Sequence, residues 1–470
     1  MPSNFLTQLQ SMTESHGLLF GENTAPYCLD QRRRFQGQAL AVARPKSTEQ
    51  LVELVKLCAE HHIAMVPQGG NTSLCGAATP DSSGHSLIIA FERMNQFIEV
   101  DADNNTITVD AGVTLQQVQT AALAANRLFP ANWGAAASCQ IGGALATNAG
   151  GVNVLRYGNM RELTLGLEVV LADGTIWHGL RGLRKDNTGY DLKQLFVGAE
   201  GTLGLISRAV LRLYPLPTAH ATALIDVDSP AIAVELLRDL QAKVGDRVTS
   251  FELISRPCLD LLQRHFPQLQ QPFSQSPAWC VLLELSDGGN SEQLISQLAE
   301  ILFAAGFSNA YVAQNQRQAQ DFWCLRERIP EAQRIEGVSI KHDISIPVGD
   351  IPRFLTECQN ELIQQYLDAN IVAFGHLGDG NLHYNLFLNE KTALIYQFEQ
   401  AINAIVYRLV AKYNGSISAE HGIGQLKKQS LSQYRTATEL LMMRSIKQAL
   451  DPQQLMNPGK VLLDLSHPID

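Results

Sequence analysis

Gln140-Ile141-Gly142-Gly143-Ala144-Leu145-Ala146-Thr147-Asn148-Ala149-Gly150-Gly151 is the stretch that decides the fold of this chain. Paired glycines let a backbone approach an anion closely and turn several N–H groups toward it. Thr147 and Asn148 add side-chain donors. A second segment of the same kind lies upstream, Pro67-Gln68-Gly69-Gly70-Asn71-Thr72-Ser73, where Thr72 and Ser73 are the donors. Either one alone makes a turn as readily as a ligand site. Together they point to a diphosphate cradle. The order of elements disfavours a Rossmann site, because a helix precedes the first strand and loop and no G-x-G-x-x-G opens the next helix. That helix begins at Ser47, where Ser47-Thr48-Glu49-Gln50 reads as a capping box. Leu51, Leu54, Val55 and Cys58 then share one face, and the short strand Ala64-Met65-Val66 leads into the loop.

Working outward, 470 residues exceed what one hydrophobic core holds, so two or three domains are expected. The net charge of −10 argues against nucleic acid or an anionic membrane surface as the main partner. The eight cysteines form no C-x-x-C pair. The N-terminus lacks a basic segment followed by an apolar one, and no apolar run reaches the roughly 18 residues of a spanning helix. The expectation is a reduced, cytoplasmic protein without a membrane span. Residues 1–37 read as a helical arm ending in Arg32, Arg33 and Arg34. Residues 38–217 mix short strands with helices, until Pro215 and Pro217 break the pattern. From 218 to 425 strands alternate with longer helices, such as the strand 279–285 and the helix 291–303, which predicts an α+β sandwich. Residues 426–470 read as helix, then Asp451-Pro452, then Asn457-Pro458-Gly459-Lys460.

Within 371–388, two apolar strands flank the turn Gly378-Asp379-Gly380-Asn381, a hairpin signal. The turn brings His376 and His383 together, and strand alternation puts His383 and Asn385 on one face. Further on stands Ser418-Ala419-Glu420-His421-Gly422-Ile423-Gly424. Two imidazoles and one carboxylate with positions left open match a catalytic zinc arrangement, so His376, His383 and Glu420 are the expected ligands. Manganese or cobalt would also suit. His421, beside Glu420 and followed by Gly422, is then the expected general base. The rival reading makes His421 a fourth ligand and moves Glu420 out of the coordination sphere.

A third segment, Lys185-Asp186-Asn187-Thr188-Gly189-Tyr190-Asp191-Leu192 followed by Leu195-Phe196-Val197-Gly198-Ala199-Glu200-Gly201-Thr202-Leu203-Gly204, makes a family resemblance specific. With the two glycine segments it resembles the FAD domain of the vanillyl-alcohol oxidase and p-cresol methylhydroxylase superfamily. Within it, residues 38–460 are most similar to the branch of D-lactate, glycolate and D-2-hydroxyglutarate dehydrogenases. The resemblance implies an α+β fold, with a two-lobed FAD-binding domain and an α+β cap that carries the metal. It also implies the same three metal ligands. FAD would be bound by Pro67, Gly69, Gly70, Asn71, Thr72, Ser73, Ser138, Ile141, Gly142, Gly143, Thr147, Asn148, Gly150, Gly151, Glu200, Gly201 and Leu203, with Asn457 and Lys460 near the isoalloxazine. Some relatives attach flavin through a histidine where Asn71 stands here, so the expected FAD is non-covalent.

By the same match Arg326 and Lys341 hold substrate carboxylates and Asn385 contacts substrate, whereas Arg328 is a solvated neighbour. Close relatives acting on D-2-hydroxyglutarate tend to have a hydroxyl residue four places after this arginine, and here it is Pro330, without side-chain donor or N–H. The implied activity is metal-assisted oxidation of a D-2-hydroxy acid, first D-2-hydroxyglutarate, then D-lactate, D-malate or glycolate. An electron-transferring flavoprotein or a quinone would take the electrons, and a homodimer is one assembly open to it. Two other classes stay open: a non-catalytic flavoprotein subunit, and a non-redox FAD transferase such as an alkylglycerone-phosphate synthase.

Overall fold

A computed structural model describes residues 2–463. The described residues divide into two compact units, the first made of 2–150, 158–215 and 421–463, the second of 151–157 and 216–420. The second glycine segment therefore straddles a unit boundary, and the Glu420–His421 bond is another.

Among the described residues, and besides a short pairing of Arg127–Leu128 with Tyr214–Pro215, the first unit holds two sheets. In the smaller, the order is Leu18–Leu19, Ala41–Ala43, Ser86–Ala90, Ala64–Gln68, and the last three run parallel. Parallel strands need a crossover; the helix Thr48–His61 supplies the one from Ala41–Ala43 to Ala64–Gln68, which flank Ser86–Ala90. Leu51, Leu54, Val55 and Cys58 are its buried face, as their spacing predicts. Its cap differs by one residue from a closed box. The Ser47 hydroxyl accepts from Gln50 N, but the Gln50 amide oxygen accepts from Lys46 N at 2.9 Å. Fully burying a side chain such as Leu51 or Val55 contributes about 1.5–3 kcal/mol, which is what seats this helix. The larger sheet is antiparallel, in the order Ile98–Asp101, Thr106–Asp110, Leu205–Arg212, Thr164–Val170, Ile176–Gly179. The C-terminal segment returns to this unit: Met65 N donates to Leu455 O and Asn457 N to Met65 O, both at 2.8 Å.

The second unit is a seven-stranded antiparallel sheet in the order Ala310–Val312, Ala219–Val227, Trp279–Asp287, Val248–Ser255, Asn370–His376, Asn381–Phe387, Ile340–Ser345. The helices Pro230–Val244, Ser291–Ala304, Gln316–Glu327, Ile351–Gln365 and Glu399–Lys412 connect it. The segment 151–157 is anchored to it by Arg156, whose Nη1 donates to Ser286 O and Oγ at 2.5 and 2.7 Å. Among the described residues no helix is long and apolar enough to cross a membrane.

Candidate active site

Four adjacent strands of the second unit bring one set of polar side chains onto one face. Directly opposed residues in an antiparallel pair share a face. Lys341 opposes Asn385, Asp343 opposes His383, His383 opposes Phe374, and His376 opposes Glu252. The hairpin between the two histidines closes through Gly380, at φ 88°. A Cβ there would stand 2.4 Å from Ile346 O, so only glycine fits.

The His376, His383 and Glu420 ligand atoms all lie within 4.8 Å of one another. His376 Nε2 is 3.2 Å from Glu420 Oε1, and its Nδ1 is held by Glu252. Glu420 N donates to Asp343 Oδ2 at 2.9 Å, and Asp343 Oδ1 lies 3.9 Å from His383 Nδ1. Burial pushes the His383 imidazole down to about 4, against the pull of Glu420 and Asp343, so it stands neutral at pH 7. Burial alone would also lower His376 and raise Glu252. Their contact reverses both, raising the imidazole and, with Arg326, lowering the carboxylate. Two imidazole nitrogens and a carboxylate oxygen this close, with an acid behind each imidazole, fit a divalent ion such as zinc.

Arg326, on the helix Gln316–Glu327, donates from Nε to Glu252 Oε2 at 2.6 Å and stacks over the Phe374 ring, 4.8 Å from its centroid. Lys341 is half-buried. The Asn385 amide donates to Gln333 Oε1 at 2.9 Å. Arg328 is exposed and paired with Glu331, and Pro330 is exposed at the start of the next helix.

In the first unit the two glycine segments touch. A Cβ on Gly70 would stand 1.8 Å from Ser138 O, so that position admits glycine alone. Pro67 and Gln68 belong to the strand rather than to a loop, and Ile141–Ala146 is a short helix where the glycines suggest a turn. Gly142 N donates to Ala111 O at 2.8 Å, which seats that helix. Beside Gly143 no atom beyond its own helix backbone and chain neighbours lies within 4 Å of where a Cβ would be. Ser73 Oγ, Gln140 Oε1 and Asn457 Oδ1 are buried without hydrogen-bond partners. An open glycine and three unmet polar atoms, two on these segments and one on Asn457, fit a large polar ligand, since such atoms are seldom left unpaired.

Some expected contacts are spent inside the protein. Asn71 sits at φ 51° and its amide donates to Leu29 O at 2.9 Å. Thr147 Oγ1 donates to Gly143 O at 3.1 Å, and Asn148 Oδ1 accepts from Arg161 N at 2.9 Å. Ile141 is fully buried, Ser138 is exposed, Leu203 is half-buried, Gly150 closes the first stretch of this unit and Gly151 lies in the other unit. Both carboxylate oxygens of Glu200 accept from the turn after His421, Oε1 from Ile423 N at 2.7 Å and Oε2 from Gly424 N at 2.8 Å. Burial raises this carboxyl to about 7 even so, with Lys427 and Lys460 opposing. The Asn457 amide donates to Glu200 O and Ala77 O at 2.7 and 3.0 Å. Sequence reasoning missed Glu252 and the role of Asp343; the one signal for Glu252 is an acid in the otherwise apolar run Phe251-Glu252-Leu253-Ile254.

Two domain families match the chain: an FAD binding domain over 39–179, and the C-terminal domain of FAD linked oxidases over 216–461. The fold agrees. The structure of p-cresol methylhydroxylase with substrate bound superposes with a TM-score of 0.78 at 16% identity, covering 99% of this chain and 98% of that one. An alkyldihydroxyacetonephosphate synthase gives a TM-score of 0.73 at 16% identity, over 97% of this chain and 84% of that one. These define a two-domain FAD-linked oxidase. The mitochondrial D-2-hydroxyglutarate dehydrogenase of Danio rerio is 36% identical over 93% of this chain and 81% of its own length. The D-2-hydroxyglutarate dehydrogenase of Xanthomonas citri pv. viticola is 36% identical over 93% of this chain and 92% of its own length. The chain belongs to this family of FAD-dependent dehydrogenases.

Proposed function

We propose that the chain oxidises the C2 hydroxyl of a D-2-hydroxy acid to the 2-oxo acid, with D-2-hydroxyglutarate as preferred substrate, aided by a divalent metal ion. The observation that carries this reading is the convergence of His376, His383 and Glu420 on one sheet face beside two cationic side chains, Arg326 and Lys341.

The two glycine segments would hold FAD non-covalently, and FAD when bound would supply a two-electron acceptor for the C2 hydride. A divalent ion on the three ligands supplies Lewis acidity toward the hydroxyl and its neighbouring carboxylate. The residues do the rest. A ring nitrogen of His421 takes the hydroxyl proton, a step worth roughly 100- to 10,000-fold when the base is well placed. Glu200 holds the turn that follows His421. Arg326 and Lys341 pair with the substrate's carboxylates, and the second of these distinguishes a diacid from D-lactate. Arg326 has Nε committed to Glu252, so its two terminal nitrogens are the fork that meets a carboxylate. The final electron acceptor would be an electron-transferring flavoprotein or a quinone.

The reading is tested with a panel of D- and L-2-hydroxy acids and an artificial acceptor. D-2-hydroxyglutarate should exceed D-lactate in kcat/KM by at least about tenfold, the worth of one charge-assisted contact. Equal efficiency on both, with Arg326→Ala and Lys341→Ala harming both alike, would overturn the diacid assignment. Pro330→Thr should widen the gap if the missing hydroxyl limits diacid binding.

A further inference from the structure

We infer that Glu252 is the positioning residue that fixes the tautomer of His376 and the aim of Arg326 at once, so that metal binding and substrate-anion binding depend on one carboxylate. The inference rests on the metal reading above.

Glu252 lies in the middle of the strand Val248–Ser255 and its side chain has no exposed surface. Each carboxylate oxygen has one donor. Oε1 takes His376 Nδ1, and Oε2 takes Arg326 Nε at 2.6 Å. With an ion bound, the first bond would keep the proton on Nδ1 and leave Nε2, which lies 3.2 Å from Glu420 Oε1, as the ligating atom. Because Glu252 and His376 face each other across neighbouring strands, the sheet itself sets this pairing. The second bond holds the guanidinium from its Nε side while Phe374 supports its face. The Phe374 ring in turn lies 4.9 Å, centroid to centroid, from that of His383. The second ligand thus joins the same packed set: Glu252, Arg326, Phe374, His376 and His383.

A glutamine at this position has the same size but one acceptor. Its amide nitrogen can only donate, so it cannot serve both His376 Nδ1–H and Arg326 Nε–H. If it keeps the arginine, its NH2 faces Nδ1 and favours the tautomer with the proton on Nε2, which cannot ligate a metal. If it keeps the histidine, Arg326 loses its hold.

The experiment measures zinc affinity of the flavin-loaded protein by competition with a chromophoric chelator, together with KM and kcat for D-2-hydroxyglutarate. Glu252→Gln should weaken zinc about 10- to 100-fold and raise KM by a larger factor than it lowers kcat at saturating zinc. A role limited to stability would lower the melting temperature and leave both unchanged. Wild-type protein that binds no zinc, manganese or cobalt would overturn the metal reading, and this inference with it. Wild type that binds zinc while folded Glu252→Gln matches it within twofold would overturn this inference alone. Should the variant fail to fold, the wild type decides. Histidine-selective ¹⁵N spectra of the zinc-loaded protein should show His376, assigned by its loss in His376→Ala, protonated on Nδ1. Protonation on Nε2 would overturn the proposal.

Discussion

Lys447→Met should destabilise the first unit more than any exposed substitution. Lys447 is 9% exposed on the helix Ala437–Leu450, and its ammonium donates to Thr202 O and Met456 O, each at 2.8 Å, and to Asp451 Oδ2 at 2.5 Å. Asp451 is fully buried and also accepts from Leu455 N and Met456 N at 3.1 and 2.8 Å. Methionine matches the stem but leaves the carboxylate without a cation and two carbonyls without a donor. Removing one partner of a buried pair costs about 3–5 kcal/mol. In a unit of roughly two hundred residues or more, each kcal/mol moves the melting temperature by about 2–4 °C, so a fall of about 6–20 °C is expected. Thr202 and Met456 adjoin Gly201 and Asn457 of the proposed flavin-binding segments, so flavin release should follow the same curve. Thermal unfolding of the flavin-loaded protein, followed by circular dichroism and flavin fluorescence, gives both. Adding Asp451→Asn should recover part of the loss by removing the uncompensated charge. A shift under about 2 °C in Lys447→Met would refute the reasoning.

Glu200 gives a pH dependence with a definite sign. Its folded-state carboxyl is raised from 4.5 to about 7, so its contribution is fully present below about 4.5 and is lost as pH rises through 7. The loss is about 3 kcal/mol; urea titrations at pH 5 and 8 should show Glu200→Gln with a flatter pH slope than wild type, and equal slopes would count against it. His421→Asn should lose far more in kcat than in metal affinity, because a base acts only in the chemical step; collapse of zinc occupancy would instead make His421 a ligand. The flavin should leave on mild denaturation, and a precipitate that stays yellow would show the Asn71 argument to be mistaken.

The glycine segments and the histidine hairpin were legible because their signals are local. A turn between two apolar runs fixes where His376 and His383 meet, and the structure places them as the spacing predicts. Glu252 and Asp343 were not legible as partners, since their roles arise only when strands far apart in sequence are laid side by side. The helix Ile141–Ala146 shows the opposite failure. Gly142 and Gly143 suggest a turn by propensity, but close packing of Gly142 on Ala111 favours a helix there. The placement of 151–157 in the second unit had no signal either, because it depends on Arg156 finding Ser286 and on Asn153 accepting from Ser250.

The most direct measurement is anaerobic mixing of the flavin-loaded protein with D-2-hydroxyglutarate, following the flavin absorbance with and without prior chelation. Rapid bleaching by the D-enantiomer, slow or absent for the L-enantiomer, and lost on chelation but restored by zinc, manganese or cobalt, is the predicted result. Flavin that stays oxidised in the metal-loaded protein, or that bleaches equally fast after chelation, would contradict it.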